Sequence, residues 1–505
     1  MNKSKQLQTT RGDWVVILAC TLATALLLYF STGLGDAWPL AWVALVPLLW
    51  LAYGRQPLWR VAVATFVAFT LGNIGFLRPF VGMPSATAGI AVAVIGLAIA
   101  GVVAIGFARF VQRRCHRLLA LLAFPALWTG IEYISSLASP NGTVGSLAYT
   151  QVGAPVLIQS ASLFGIWGLT FLICLVASGA ALVLRDPKNS VPIVVLVVTV
   201  FGANLVFGMV RLDGSAGATA VPVGTIVKDQ PAKRFESSKA TWLDVTSDYA
   251  KEVRDVIAAH PAISTIVLPE KLAVLEPSWR AAVIAPFARV AQENDVRIVA
   301  GFEDDASPAR NIAITFEPDG TAETYVKRKL LASEGDMRPG TKPGLLGDGM
   351  AVEICKDMDF PQMIRTDVAD HHVGLVFVPA EDFTVDGWMH ARVAIMRGVE
   401  DGFAVVRSAR KGDLTVSDSR GRVLALGHSS SVGFTGSAVR VPVGTGDTVY
   451  LAIGDLFAWI CLGLAVAAAA LSTRRSASPL WGASPRRIRP LARWLVRFTS
   501  PRLRA

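Results

Sequence analysis

The chain has 505 residues, of which 52% are hydrophobic and only 17% charged, with a formal net charge of +10. A soluble globular protein carries about 25% charge, so a purely soluble protein is excluded and the apolar residues must be concentrated somewhere. The basic balance invites a nucleic-acid reading, but the positive residues track the loops between apolar stretches, so no nucleic-acid partner is expected.

A membrane span needs about 20 mostly apolar residues. Seven candidates precede residue 211: 14–31, 38–53, 59–77, 87–110, 117–135, 161–184 and 191–210; an eighth covers 449–472. The first has a basic flank but no small-residue cleavage motif, so it reads as a retained span. Alternate loops are positive: Lys3, Lys5 and Arg11, then Arg55 and Arg60, then Arg113, Arg114 and Arg117, then Arg185 and Lys188. The intervening loops "STGLGDAWP", "RPFVGMPSA" and "SSLASPNGTVGSLAYTQVGAP" hold a single arginine, Arg78. Positive loops stay on the cytoplasmic side. Both termini are therefore expected inside, and the segment before the last span outside. The expected organisation is a bundle over 1–210, an external domain over 211–448, a closing span over 449–472 and a basic tail over 473–505, which would rest on anionic headgroups.

Within 211–448, short β-branched runs predict strands at 221–227, 264–269, 296–302, 311–316, 351–355, 373–379, 403–409 and 422–426. Helical spacing covers 237–260, 277–294, 359–369 and 386–400. "EPDGTAE" and "SDSRGR" read as hairpin turns. Strands alternating with helices predict a layered α/β domain.

Three strand ends carry chemistry: Glu270 in "IVLPEKL", Lys327 in "AETYVKRKLL" and Cys355 in "AVEICKD". Strand ends are where α/β folds assemble sites. A carboxylate can take a thiol proton, a thiol can attack a carbonyl and form a thioester, and an ammonium can lower the thiol pKa and hold an oxyanion. The backbone N–H of Lys356 is a candidate second oxyanion donor. Cys355 is the single cysteine of the external segment, since Cys20, Cys174 and Cys461 fall in spans and Cys115 in an inside loop, so it has no partner there for a disulfide. His371, His372, His390 and His428 show no metal-ligand spacing, and neither metal nor cofactor is expected. Few charges fall within the spans; Glu132 in "WTGIEYI" is the main exception, fitting a structural pairing or substrate binding equally well.

The order Glu, Lys, Cys within "LPE", "YVKRKLL" and "ICKDMDFP" resembles the nitrilase, or carbon–nitrogen hydrolase, superfamily. Spans, external domain and closing span together resemble the apolipoprotein N-acyltransferase family, as do "FPALWTGIEYI", "LAYTQVGAPVLIQSASLFGIWGLTFLI" and "HARVAIMRGVEDGFAVVRSARKG". The resemblance implies an αββα sandwich on a helical membrane bundle, a Glu270–Lys327–Cys355 triad and supporting roles for Arg397, Glu400 and Arg407. It further implies acyl transfer from a phospholipid, through Cys355, to the α-amine of a lipoprotein, in the bacterial inner membrane by a monomer. Another amine acceptor, or amide or nitrile hydrolysis, would use the same triad. Trp388 and Met389 are candidates for an apolar rim around the substrate.

The chain departs from the family pattern near the triad. Lys329 stands where the family has His, "LLASEGD" replaces Leu-Val-Pro-Phe-Gly-Glu, and Lys356-Asp357 replaces Tyr-Glu. The supporting carboxylate is expected at Glu334, with Asp336 as the other option. These changes spare the triad and predict a divergent member.

Overall fold

The computed structural model describes residues 11–214, 219–229 and 238–477. Among the described residues, seven helices are long and apolar enough to cross a membrane: Gly12–Ser31, Leu58–Phe80, Pro84–Arg114, Arg117–Ala138, Ala161–Arg185, Val191–Asp213 and Leu456–Arg474. Their outer faces leave large aliphatic side chains such as Val198, Val210 and Val466 exposed. In water such a surface would associate or precipitate; it suits hydrocarbon.

Two expected spans are corrected. Residues 38–53 are not one long helix but two short ones, Trp38–Ala44 and Val46–Ala52. Pro47 at the start of the second cannot donate to the ladder of the first, so the pair breaks at Leu45. Leu48, Leu49, Leu51 and Ala52 are fully buried, so the pair fills the interior of the bundle, and it still carries the chain across, from Asp36, which accepts from Trp388 of the sandwich, to Gly54, whose carbonyl accepts from Arg113 at the opposite end. The last long helix begins at Leu456, not 449, because Gly454 adopts a φ of 58° and ends a short helix, Val449–Ile453. Lys3, Lys5 and most of the basic tail lie outside the described residues.

Thirteen strands follow the bundle: β1 (Ala220–Val227), β2 (Thr265–Val267), β3 (Val274–Leu275), β4 (Arg297–Asp304), β5 (Arg310–Phe316), β6 (Ala322–Val326), β7 (Leu345–Leu346), β8 (Met350–Val352), β9 (Leu375–Glu381), β10 (Ala404–Arg410), β11 (Asp413–Ser417), β12 (Val423–His428) and β13 (Thr435–Pro442). One sheet runs β13-β1-β2-β4-β5-β6, with β3 beside β4; the other runs β12-β11-β10-β9-β8-β7. The β2–β1, β2–β4, β8–β9 and β9–β10 pairs are parallel.

Successive side chains on a strand face opposite sides, and the two sheets use that alternation to pack against each other. Val223, Val267, Val299, Val352, Leu375, Phe377 and Val406 form the layer between them. The alternate residues Val376, Val378 and Val405 meet helices Pro361–His371 and Gly387–Asp401. Helices Lys239–Ala259 and Arg280–Asn294 cover the first sheet. The result is an αββα sandwich. Helix Gly387–Asp401 is buried on its far side as well: Val393, Ile395, Met396 and Val399 join the core of the bundle. The sandwich is thus packed onto the membrane helices through one of its own outer layers.

Candidate active site

The three strand ends named above converge where the two sheets meet. Glu270 follows β2; its backbone N–H donates to Ala380 O of β9 at 3.2 Å, tying one sheet to the other. Gly301 of β4 makes room for it, since a Cβ there would lie 2.5 Å from the Glu270 Cα. Lys327 follows β6, and its N–H donates to Asn311 O at 2.9 Å. Cys355 follows β8 and opens a 3₁₀ turn, Cys355–Asp359, at a φ of 45°. A non-glycine residue held there costs about 1–3 kcal/mol, so the surroundings must enforce it.

Asp357 does much of that enforcing. Its carboxylate accepts from the N–H groups of Ile354 (3.1 Å), Arg328 (3.2 Å) and Lys329 (2.8 Å) and from the Tyr325 hydroxyl (2.8 Å). One side chain thereby joins the cysteine turn to the segment that carries Lys327.

Lys327 is fully buried and lies between two carboxylates. Its Nζ donates to Glu270 Oε1 at 2.8 Å and to Glu334 Oε2 at 3.1 Å. Asn311 Nδ2 donates to Glu270 Oε1 and Glu334 Oε1, both at 2.6 Å, and Lys271 Nζ reaches Glu334 Oε1 at 2.5 Å. Glu334 also accepts from Leu331 N–H at 2.8 Å, whereas Asp336 is exposed. Burial opposes charge on Lys327, but Glu270, Cys355 and Glu334 outweigh it and raise its pKa above the ordinary lysine value. Burial would likewise neutralise Glu334, but Lys327 and Lys271 prevail and hold its pKa below the usual carboxylate value. The array is a buried, alternating chain of charges.

The Cys355 thiol donates toward Glu381 O at 3.6 Å. Burial and the negative charge of Glu270 push its pKa well above the usual thiol value, against the pull of Lys327. Lys327 acts in the expected direction but is outweighed by burial and Glu270. Glu270 receives both its contacts on Oε1, which leaves Oε2 without a hydrogen-bond partner among the described residues.

The other candidates sit elsewhere. Lys356 is buried beside the cysteine and donates to Leu330 O at 3.2 Å and to Asn141 Oδ1 at 3.3 Å, the latter in a loop of the bundle. In the same loop Thr143 N–H and Oγ1 both donate to Asp359 O at 3.0 Å. Gly142 has a φ of 54°, and a Cβ on it would lie 2.1 Å from that oxygen, so only glycine allows this approach. Arg397 and Glu400 are paired with each other at the seam between sandwich and bundle, where Arg397 reaches the Tyr149 hydroxyl at 2.7 Å and Glu400 accepts from Ile166 N–H at 2.7 Å. Arg407 donates to Asp382 Oδ1 at 2.5 Å. Trp388 donates to Asp36 at 3.0 Å, and Met389 is buried against the bundle, so both are seam residues. Glu132 accepts from Trp128, Ser146, Thr170 and Leu147, all within the bundle. Asn311 and Lys271 are absent from the sequence reading; an amide opening the apolar run "NIAITF" was the available sign.

His390 adds a pH dependence. It lies 3.2 Å from Asp386. Burial disfavours its charge, but the Asp386 hydrogen bond and the charges of Asp386, Asp382 and Asp359 prevail and hold its pKa at about 9. A histidine raised in the fold stabilises it fully below its unfolded pKa of ~6.5, and that contribution fades as pH rises through about 9. The unfolding midpoint of wild type should therefore exceed that of His390→Gln most at pH 6, by the equivalent of about 3 kcal/mol, and the gap should close above pH 9. A gap that is flat with pH would refute this.

Apolar helices long enough to span a membrane that carry an αββα sandwich, with Glu, Lys and Cys gathered at its strand ends, define a membrane protein with a layered α/β domain. Residues 24–179 match the family model described as the apolipoprotein N-acyltransferase N-terminal domain. The chain is similar to the apolipoprotein N-acyltransferase family over these residues. It is 28% identical over 490 residues to the apolipoprotein N-acyltransferase of Geobacter metallireducens, covering 86% of this chain and 91% of the relative. The protein of that name from Shewanella oneidensis is 24% identical over 497 residues, covering 86% and 93%. Among solved structures, a carbon-nitrogen hydrolase from Helicobacter pylori is similar to 48% of this chain over 94% of its own, at 15% identity and a TM-score of 0.38. An amidase from Nesterenkonia is similar to 47% of this chain over 94% of its own, at 19% identity and a TM-score of 0.36.

Proposed function

We propose that this acyltransferase moves an acyl chain from a phospholipid to the N-terminal amine of a lipoprotein through a thioester on Cys355. In the first half-reaction Glu270 Oε2 takes the thiol proton as sulfur attacks the ester carbonyl. Lys327 and the backbone N–H of Lys356 hold the oxyanion. Collapse expels the lysophospholipid alkoxide, which takes the proton back from Glu270. In the second half-reaction the amine attacks the thioester, Glu270 takes the amine proton, and the departing thiolate recovers it. Glu334, Lys271 and Asn311 position Lys327 and Glu270. Arg397 and Glu400 act through the seam, and Trp388, Met389 and Glu132 through the bundle packed beneath the site.

The observation that carries this reading is the buried Glu270–Lys327–Glu334 array beside Cys355, whose thiol pKa burial pushes up, in a domain packed directly onto membrane helices. A base is needed to ionise such a thiol, and acyl chains reach it from the bilayer. The alternation of positive loops supports a bacterial inner-membrane location, with both termini cytoplasmic and residues 211–448 periplasmic. The protein acts as a monomer in this reading.

The test is mass spectrometry of Cys355 after incubating wild type and Cys355→Ala in membranes with labelled phospholipid. An adduct confined to wild type, and chased by a diacylated lipopeptide, is the expected result. An adduct that ignores the lipopeptide moves the acceptor elsewhere. No adduct on a demonstrably reduced Cys355 sinks the phospholipid-donor reading.

A further inference from the structure

At the end of the bundle farthest from the sandwich lies a second cavity, of about 870 Å³. Helix Arg117–Ala138 begins at its wall and ends near the sandwich, 22 residues away, which is about 33 Å at 1.5 Å per residue. Four arginines line it, Arg55, Arg113, Arg117 and Arg185, against two aspartates, Asp13 and Asp186. Arg117 and Asp186 pair with each other. Among the described residues, no carboxylate lies within 4.0 Å of Arg55, Arg113 or Arg185, and Asp13 accepts from Gln56 at 3.3 Å.

Arginines at a membrane surface normally extend outward to headgroups. Two of these are instead held in place. Arg185 Nε donates to Trp50 O at 2.7 Å, and its guanidinium stacks on the Trp50 ring at 3.7 Å. Gly54 admits it, since a Cβ there would lie 2.2 Å from Arg185 Nη2. Arg113 Nη2 donates to Gly54 O at 3.2 Å. These bonds to neutral oxygens fix the guanidinium groups without neutralising them. Three like charges around one cavity repel unless an anion joins them, and a planar fork of donors suits phosphate. Basic pockets between helix ends are a known way to take lipid headgroups.

We infer that this cavity is a binding site for a phosphate-bearing group, a site separate from the acyl-transfer centre and independent of its substrates. Its place at the helix ends suits the headgroup of a phospholipid in the leaflet opposite the sandwich; a soluble phosphate ester has the same chemistry.

Full-length wild type and Arg55→Gln/Arg113→Gln, both substitutions at exposed positions, would be placed in nanodiscs of phosphatidylcholine doped with phosphatidylglycerol. Native mass spectrometry then counts retained lipids. A parallel arm follows the unfolding midpoint in detergent with glycerol phosphate. The unfolding midpoint without ligand reports that the variant is folded. The expected result is retention of phosphatidylglycerol that weakens about tenfold or more in the variant, with Arg55→Lys/Arg113→Lys recovering part of it. Stabilisation of wild type alone by glycerol phosphate, without a difference in lipid, would support the phosphate site with a soluble ligand. Equal lipid retention and equal midpoints in wild type and the folded glutamine variant would overturn the inference.

Discussion

Glu270→Gln is expected to slow thioester formation on Cys355 by about 10²–10⁴-fold, the usual worth of a positioned general base, in a protein that still folds. The glutamine oxygen can still accept from Lys327 and Asn311, which both contact Oε1 in the wild type. Lys327 also keeps Glu334 as a counter-charge. What is lost is the proton acceptor. Burial, the largest cause of the raised thiol pKa, persists when the Glu270 charge is gone, so little thiolate forms without that acceptor. Single-turnover acylation with labelled phospholipid measures the effect. Wild-type rates in this variant would mean that the proton leaves by another route, and the base assignment would fall.

Lys327→Met should cost both stability and rate. The substitution removes the cation from between Glu270 and Glu334, whose carboxylates are buried. Breaking a buried pair from one side typically costs about 3–5 kcal/mol, because the remaining charge is left unpaired. Lys271 still serves Glu334, so the exposed debt falls on Glu270. Loss of an oxyanion partner adds about 10²–10³ in rate. Thermal unfolding in detergent and single-turnover acylation separate the two effects. Adding Glu270→Gln to Lys327→Met should restore part of the stability and none of the rate, since it neutralises the stranded carboxylate. A stable Lys327→Met protein with unaltered acylation would remove lysine from the mechanism.

The parts of the site readable from sequence are those set by strand alternation. Glu270, Lys327 and Cys355 each end a short β-branched run, and the αββα layering follows from strands interleaved with amphipathic helices. What stayed hidden depends on how segments turn back. Glu334 and Asp336 are two residues apart, and only the short turn Ala332–Glu334 selects between them. Asn311 bonds to two carboxylates that are 41 and 23 residues away in the chain. The net shift of the Cys355 thiol is not legible in the sequence, which reveals a charged neighbour but not the depth of burial. Residues 38–53 have the composition of a span, and hydropathy is blind to the break that Pro47 imposes. β13 closes its sheet against β1 with mostly half-buried residues, so its alternation is faint.

The loop at Asn141–Thr143 bears on how this enzyme could be dissected. Thr143 donates twice to Asp359, the last residue of the cysteine turn, and Asn141 accepts from the side chain next to Cys355. Both belong to a segment synthesised well before the sandwich and cut away in any water-soluble fragment of it. A truncated sandwich would keep its strands and lose the outer bracing of its Cys355 turn. The membrane helices are therefore part of the scaffold of the reaction as well as its anchor, and shortening this protein to a convenient catalytic fragment would dismantle what the fragment was meant to preserve.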